Sequence, residues 1–86
     1  MNKYIVEYLG TLFFLYVILA TGNALAIGAA LTIAIMLGGS ISGGIYNPAG
    51  TVTMAAARKI PMNDVVPYIV AQVAGGLTAF EIYKRM

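Results

Sequence analysis

The chain has 86 residues, 60% of them hydrophobic and only 9% charged, with a formal net charge of +2 and a mean hydropathy of +0.87. Soluble domains carry roughly 25% charged residues, so this composition belongs in a bilayer and excludes a nucleic-acid-binding surface. Cysteine and histidine are both absent, which removes disulfides, thiolate and imidazole metal ligands and the commonest general base.

No Asp, Glu, Lys or Arg occurs between Glu7 and Arg58, nor from Val65 to Phe80. Met1-Asn2-Lys3 before apolar residues has the outline of a signal peptide, but Glu7 and Tyr8 interrupt it and no cleavage site follows. A retained first span over about residues 4–21 is expected. Thr21-Gly22-Asn23 supplies turn residues, and a second span follows over about residues 23–38. A span of about 17 residues reaches only about 26 Å against a hydrocarbon core of about 30 Å, so bilayer thinning or snorkelling is expected.

Residues 39–59 break the pattern. Ser40-Ile41-Ser42-Gly43-Gly44-Ile45-Tyr46-Asn47-Pro48-Ala49-Gly50-Thr51 is rich in glycine and free of charge. Asparagine is a strong N-cap and proline is favoured at the first helical position, so a helix opens at Asn47-Pro48. Gly38, Gly39, Gly43 and Gly44 ahead of it predict irregular backbone. Such backbone is tolerated at membrane depth only inside protein or beside a water-filled cavity, which points to a pore. Pro48 to Arg58 predicts a helix of about eleven residues and about 16 Å, half the core thickness. With Arg58 and Lys59 snorkelling into the headgroups, its N-terminus lies near the midplane. The plain alternative is an ordinary Pro-kinked membrane helix.

Ile60-Pro61-Met62-Asn63-Asp64 makes an interfacial turn, and a third span follows over about residues 65–83, closed by Lys84 and Arg85. The expected fold is an all-α membrane protein with one domain over residues 1–86, built from three transmembrane helices and one re-entrant half-helix.

These blocks resemble the aquaporin and aquaglyceroporin family. Glu7-Tyr8-Leu9-Gly10-Thr11 is similar to its first-helix Glu-x-x-Gly-Thr pattern, and Ala24 to Met36 to its second helix. Ile41 to Thr51 is similar to the re-entrant loop usually written Ser-Gly-(Ala/Gly)-His-x-Asn-Pro-Ala-Val-Thr. Pro67 to Gln72, followed by Gly75, resembles the third helix. Ile45 stands where the family carries histidine, and Gly50 where it usually carries valine. The resemblance covers the first half of a family architecture in which two inverted repeats bring two half-helices tip to tip.

The resemblance implies pore contacts at Asn47, Pro48 and Ala49, and a ladder of carbonyl acceptors at Gly43, Gly44, Ile45 and Tyr46. Asn47 would cap the half-helix through its oxygen and offer amide hydrogens to a passing oxygen. The half-helix dipole would disfavour cations there. Ile27 falls at the family's outer constriction when counted back from Asn47, or is a plain lipid-facing residue. Glu7 and Gln72 would brace the loop by hydrogen bonds; for Glu7 the alternative is an interfacial glutamate beside Lys3.

The expected function is a passive channel for water or small neutral solutes such as glycerol, in a multi-pass protein of the cell membrane with no cofactor, no metal and no enzymatic activity. Four basic groups on the N-terminal side against two opposite give a weak positive-inside bias that permits dual topology. Two inverted copies would then rebuild the inverted-repeat channel as an antiparallel homodimer or a higher homo-oligomer. The other readings are a second half supplied by a separate chain, or a non-conducting subunit that modulates such a partner.

Overall fold

Asparagine opens three of the four α-helices. In the computed structural model, which describes residues 1–86, Asn2 Oδ1 accepts the Tyr4 N–H of α1 (Lys3–Thr21) at 2.6 Å. Asn23 Oδ1 accepts the Ala26 N–H of α2 (Ala24–Ser42) at 2.9 Å. Asn47 caps α3 (Pro48–Ala56). A short 3-10 turn, Met62–Asp64, leads into α4 (Val65–Arg85). Pro67 lies in the first turn of α4, where a missing N–H costs no helical bond. Gly22 and Gly43 close α1 and α2 at φ +56° and +90°, the left-handed geometry that favours glycine.

Two elements differ from their sequence expectation. α2 continues through Gly38 and Gly39 to Ser42, although glycine disfavours helix by about 1 kcal/mol relative to alanine. An unsatisfied amide in hydrocarbon costs more than that, so the helix persists until Gly43 can end it. At 19 residues each, α1 and α2 reach about 28 Å, which removes most of the expected mismatch. α3 is the other case: it stops after nine residues at Ala56. The Arg58 N–H bonds to Ala55 O and the Lys59 N–H to Met54 O, a Schellman closure that places Arg58 in the left-handed region at φ +61°.

Polarity is inverted relative to a soluble protein. Glu7, Thr11, Ser42, Thr51, Asp64 and Gln72 are buried, whereas Leu25, Met36 and Leu37 are 83%, 76% and 75% exposed. With three helices long and apolar enough to cross a membrane, this is an integral membrane protein. α1 packs against both α2 and α4, and α3 packs against α4. α2 contributes Ala30, Ala34, Gly38 and Ser42, a small-residue stripe at a spacing of four that lets helices approach without a large apolar interface.

At one edge Asp64 accepts hydrogen bonds from Lys3 Nζ and Tyr4 Oη, each at 2.7 Å. They tie the start of α1 to the turn before α4.

α4 lies close against the α1 backbone at Gly75. A methyl group there would stand 2.5 Å from Tyr8 O and 3.1 Å from Leu12 N. Backbone cannot yield as a side chain does, so Gly75→Ala should destabilise the chain by about 1–3 kcal/mol. Thermal unfolding in detergent followed by circular dichroism measures this, and an unchanged midpoint would refute the close-packing account.

Candidate pore site

The site is built around a carboxylate inside the helix bundle. Glu7 projects from the second turn of α1 and is 0% exposed. One oxygen accepts the Ser42 hydroxyl at 2.7 Å and the Ile45 N–H at 3.2 Å; the other accepts the Tyr46 N–H and Gln72 Nε2, both at 2.8 Å. Lys3 pairs with Asp64, so Glu7 belongs to the loop and is not an interfacial partner of Lys3. Four donors on two oxygens match the capacity of an acceptor-only carboxylate.

The network continues to the half-helix. Gln72 Nε2 also donates to Thr51 Oγ1 at 2.8 Å, and Thr51 Oγ1 donates to the Asn47 carbonyl at 2.9 Å. On the other flank Tyr68 Oη donates to Ser42 O at 2.7 Å, at the end of α2. The irregular segment 43–47 is therefore held from α1, α2, α3 and α4. This is how backbone without regular structure is satisfied away from water.

Asn47 divides its side chain between two tasks. Oδ1 accepts the Ala49 and Gly50 N–H groups at 2.8 and 3.1 Å, while Nδ2 donates to no protein group. Asn47, Pro48 and Ala49 are all exposed at the tip of α3. Asn47 and Pro48 face a groove of about 550 Å³ between α1 and α4, lined by Phe14, Ile18, Leu77 and Phe80. Thr11 lines it as well, and its buried hydroxyl has no protein partner.

The other sequence-selected residues fall in three places. Gly43 is exposed, Ile45 is half-buried, and Gly44 and Tyr46 are buried. Tyr46 turns its ring away from the Asn47 tip into the contact between α1 and α2. Ile27 lies half-buried on α2 and does not line the groove between α1 and α4. Sequence reasoning did not select Ser42, Thr51 or Tyr68. A signal for Tyr68 existed, because Tyr68, Gln72, Gly75 and Ala79 recur at helical spacing and form the buried face of α4.

The chain is 41% identical to glycerol uptake facilitator protein-like 6 of Lactiplantibacillus plantarum, over 98% of this chain and 43% of that protein. It is 47% identical to aquaporin Z of Brucella melitensis, over 71% of this chain and 27% of the relative. It is also 47% identical to aquaglyceroporin-2 of Rhizophagus irregularis, over 70% and 20%. The chain thus spans less than half the length of these relatives. No solved structure gives a significant match. Residues 19–86 fit the family model described as major intrinsic protein, and with these relatives that match establishes that the chain belongs to the major intrinsic protein family.

Proposed function

We propose that the chain is one half of a passive channel for water and small neutral solutes such as glycerol in the cell membrane. The observation that carries this reading is the Asn47 tip: a short helix begins at a groove-facing asparagine whose capping oxygen is occupied and whose amide donor has no protein partner. That donor can replace part of a solute's lost hydration, while the positive end of the α3 dipole opposes cations. Gly43, Gly44, Ile45 and Tyr46 contribute carbonyl oxygens along the approach, with Pro48 and Ala49 at the tip. Glu7 and Gln72 hold the loop. The names of the relatives, glycerol uptake facilitator and aquaporin, support this class of solute.

α3 covers only about 14 Å of depth, so a continuous pore needs a second half-helix beyond its tip. A second, oppositely inserted copy supplies one, giving an antiparallel homodimer with the two Asn47 tips at the midplane. Relatives more than twice as long favour an alternative in which a separate stretch of polypeptide carries the other half and this unit does not conduct alone.

Osmotic shrinkage of proteoliposomes holding the purified chain, read by stopped-flow light scattering, tests conduction. Fast, low-barrier water flux is expected; rates equal to empty liposomes with insertion verified would shift the reading to the non-conducting unit. Mixing Asn2→Cys and Met86→Cys chains tests orientation, since antiparallel neighbours cross-link position 2 to position 86 and parallel neighbours cross-link only like to like.

A further inference from the structure

Tyr46 is fixed at three points that lie in different directions. Its N–H donates to Glu7 at 2.8 Å, its hydroxyl donates to Ala34 O of α2 at 2.7 Å, and its ring sits against Gly10 of α1. The residue is only 3% exposed. A methyl group at Gly10 would collide with the ring, and one at Gly38 with the hydroxyl. The slot is therefore shaped by two glycines on different helices.

The backbone gives the slot its meaning. Tyr46 has φ +56°, a left-handed conformation that costs a non-glycine residue about 1–2 kcal/mol. Such strain persists only where surrounding contacts over-determine it. Here they do: the left-handed turn sends the ring into the α1–α2 contact while the next residue, Asn47, faces the groove between α1 and α4. Ile45, the neighbour on the other side, has no polar side-chain atom to share the task. Without the seated ring, only the backbone bonds of Ile45 and Tyr46 to Glu7 oppose relaxation of residue 46 to negative φ, a rotation that would carry Asn47 with it.

We propose that the Tyr46 side chain is a positioning residue, a key whose seat between Gly10 and Gly38 and whose hydrogen bond to Ala34 O set where Asn47 stands. The proposal rests on the pore reading for its functional meaning, but its test does not require conduction. Amide hydrogen exchange of the full chain in lipid nanodiscs reads the loop directly through the N–H groups of Ile45, Tyr46, Ala49 and Gly50. Tyr46→Leu should speed their exchange about tenfold or more, as loss of a buried hydrogen bond and its packing shifts a local opening equilibrium. Mid-helix amides of α1, α2 and α4 should keep wild-type rates.

Gly10→Ala should loosen the same four amides, because its methyl displaces the ring. In the double variant the two effects should not multiply, since the ring that the methyl displaces is already gone. Tyr46→Phe keeps the ring and should retain most of the protection. Wild-type exchange in Tyr46→Leu, or independent effects in the double variant, would overturn the proposal. A chain that shows these exchange effects but carries no water would fault the pore reading alone.

Discussion

Glu7→Ala should release the 43–47 loop and lower the stability of the whole chain. Four donors lose their acceptor, but their fates differ. The Ser42 hydroxyl can fall back on Gly38 O at 3.3 Å, and Gln72 Nε2 keeps Thr51. The Ile45 and Tyr46 N–H groups have no other acceptor. At about 1–3 kcal/mol for each buried unsatisfied donor, the two amides alone cost about 2–6 kcal/mol. Native domains are stable by only about 5–15 kcal/mol. Breaking one side of a satisfied buried network is destabilising on balance.

Glu7→Gln should fall between wild type and Glu7→Ala, because a glutamine presents one acceptor oxygen where the carboxylate presents two. The expected order of thermal midpoints in detergent is therefore wild type, Glu7→Gln, Glu7→Ala. An alanine variant as stable as wild type would mean that the network is ornamental.

Asn47→Asp should separate folding from conduction. Aspartate caps helices as well as asparagine does, and a carboxylate at the positive end of α3 is favourable, so the thermal midpoint should scarcely move. What disappears is the amide donor. A hydrogen bond to the permeating molecule worth about 1.4 kcal/mol corresponds to about tenfold in rate. Water flux through proteoliposomes should fall by roughly that factor or more, and the new negative charge should lower the barrier to cations. Stopped-flow shrinkage checks the first effect and a pH-sensitive dye inside the liposomes the second. Equal flux in the two proteins would remove Asn47 from the pore.

The parts of this architecture that were legible in the sequence are those written locally. Asn47 and Pro48 mark the start of α3, and Thr21-Gly22-Asn23 the turn between α1 and α2. The gaps between charges gave the three long apolar helices. Gly38 and Gly39 misled for a reason that is not local: read alone they are helix breakers, whereas Gly38 sits in α2 beneath a tyrosine eight residues further on. No periodicity announces such a contact. The same holds for Glu7, where residue types left an interfacial partner beside Lys3 open and only the family resemblance pointed to the loop. Only the fold brings residues 7, 42, 46 and 72 to one point.

The buried carboxylate also imposes an order of assembly. Its loop partners Ser42, Ile45 and Tyr46 follow it by 35, 38 and 39 residues, but Gln72 lies 65 residues downstream. At roughly 5–20 residues per second of synthesis, Gln72 arrives about 3–13 s after Glu7. During that interval a carboxylate bound for the bundle interior has only the nascent α1–α2 hairpin and the loop behind it to draw on. Thr51 waits for the same glutamine, so α3 cannot acquire its bond to α4 before the last helix has been made. The half-helix is thus a latecomer to its own cradle, seated only when the final span closes over it.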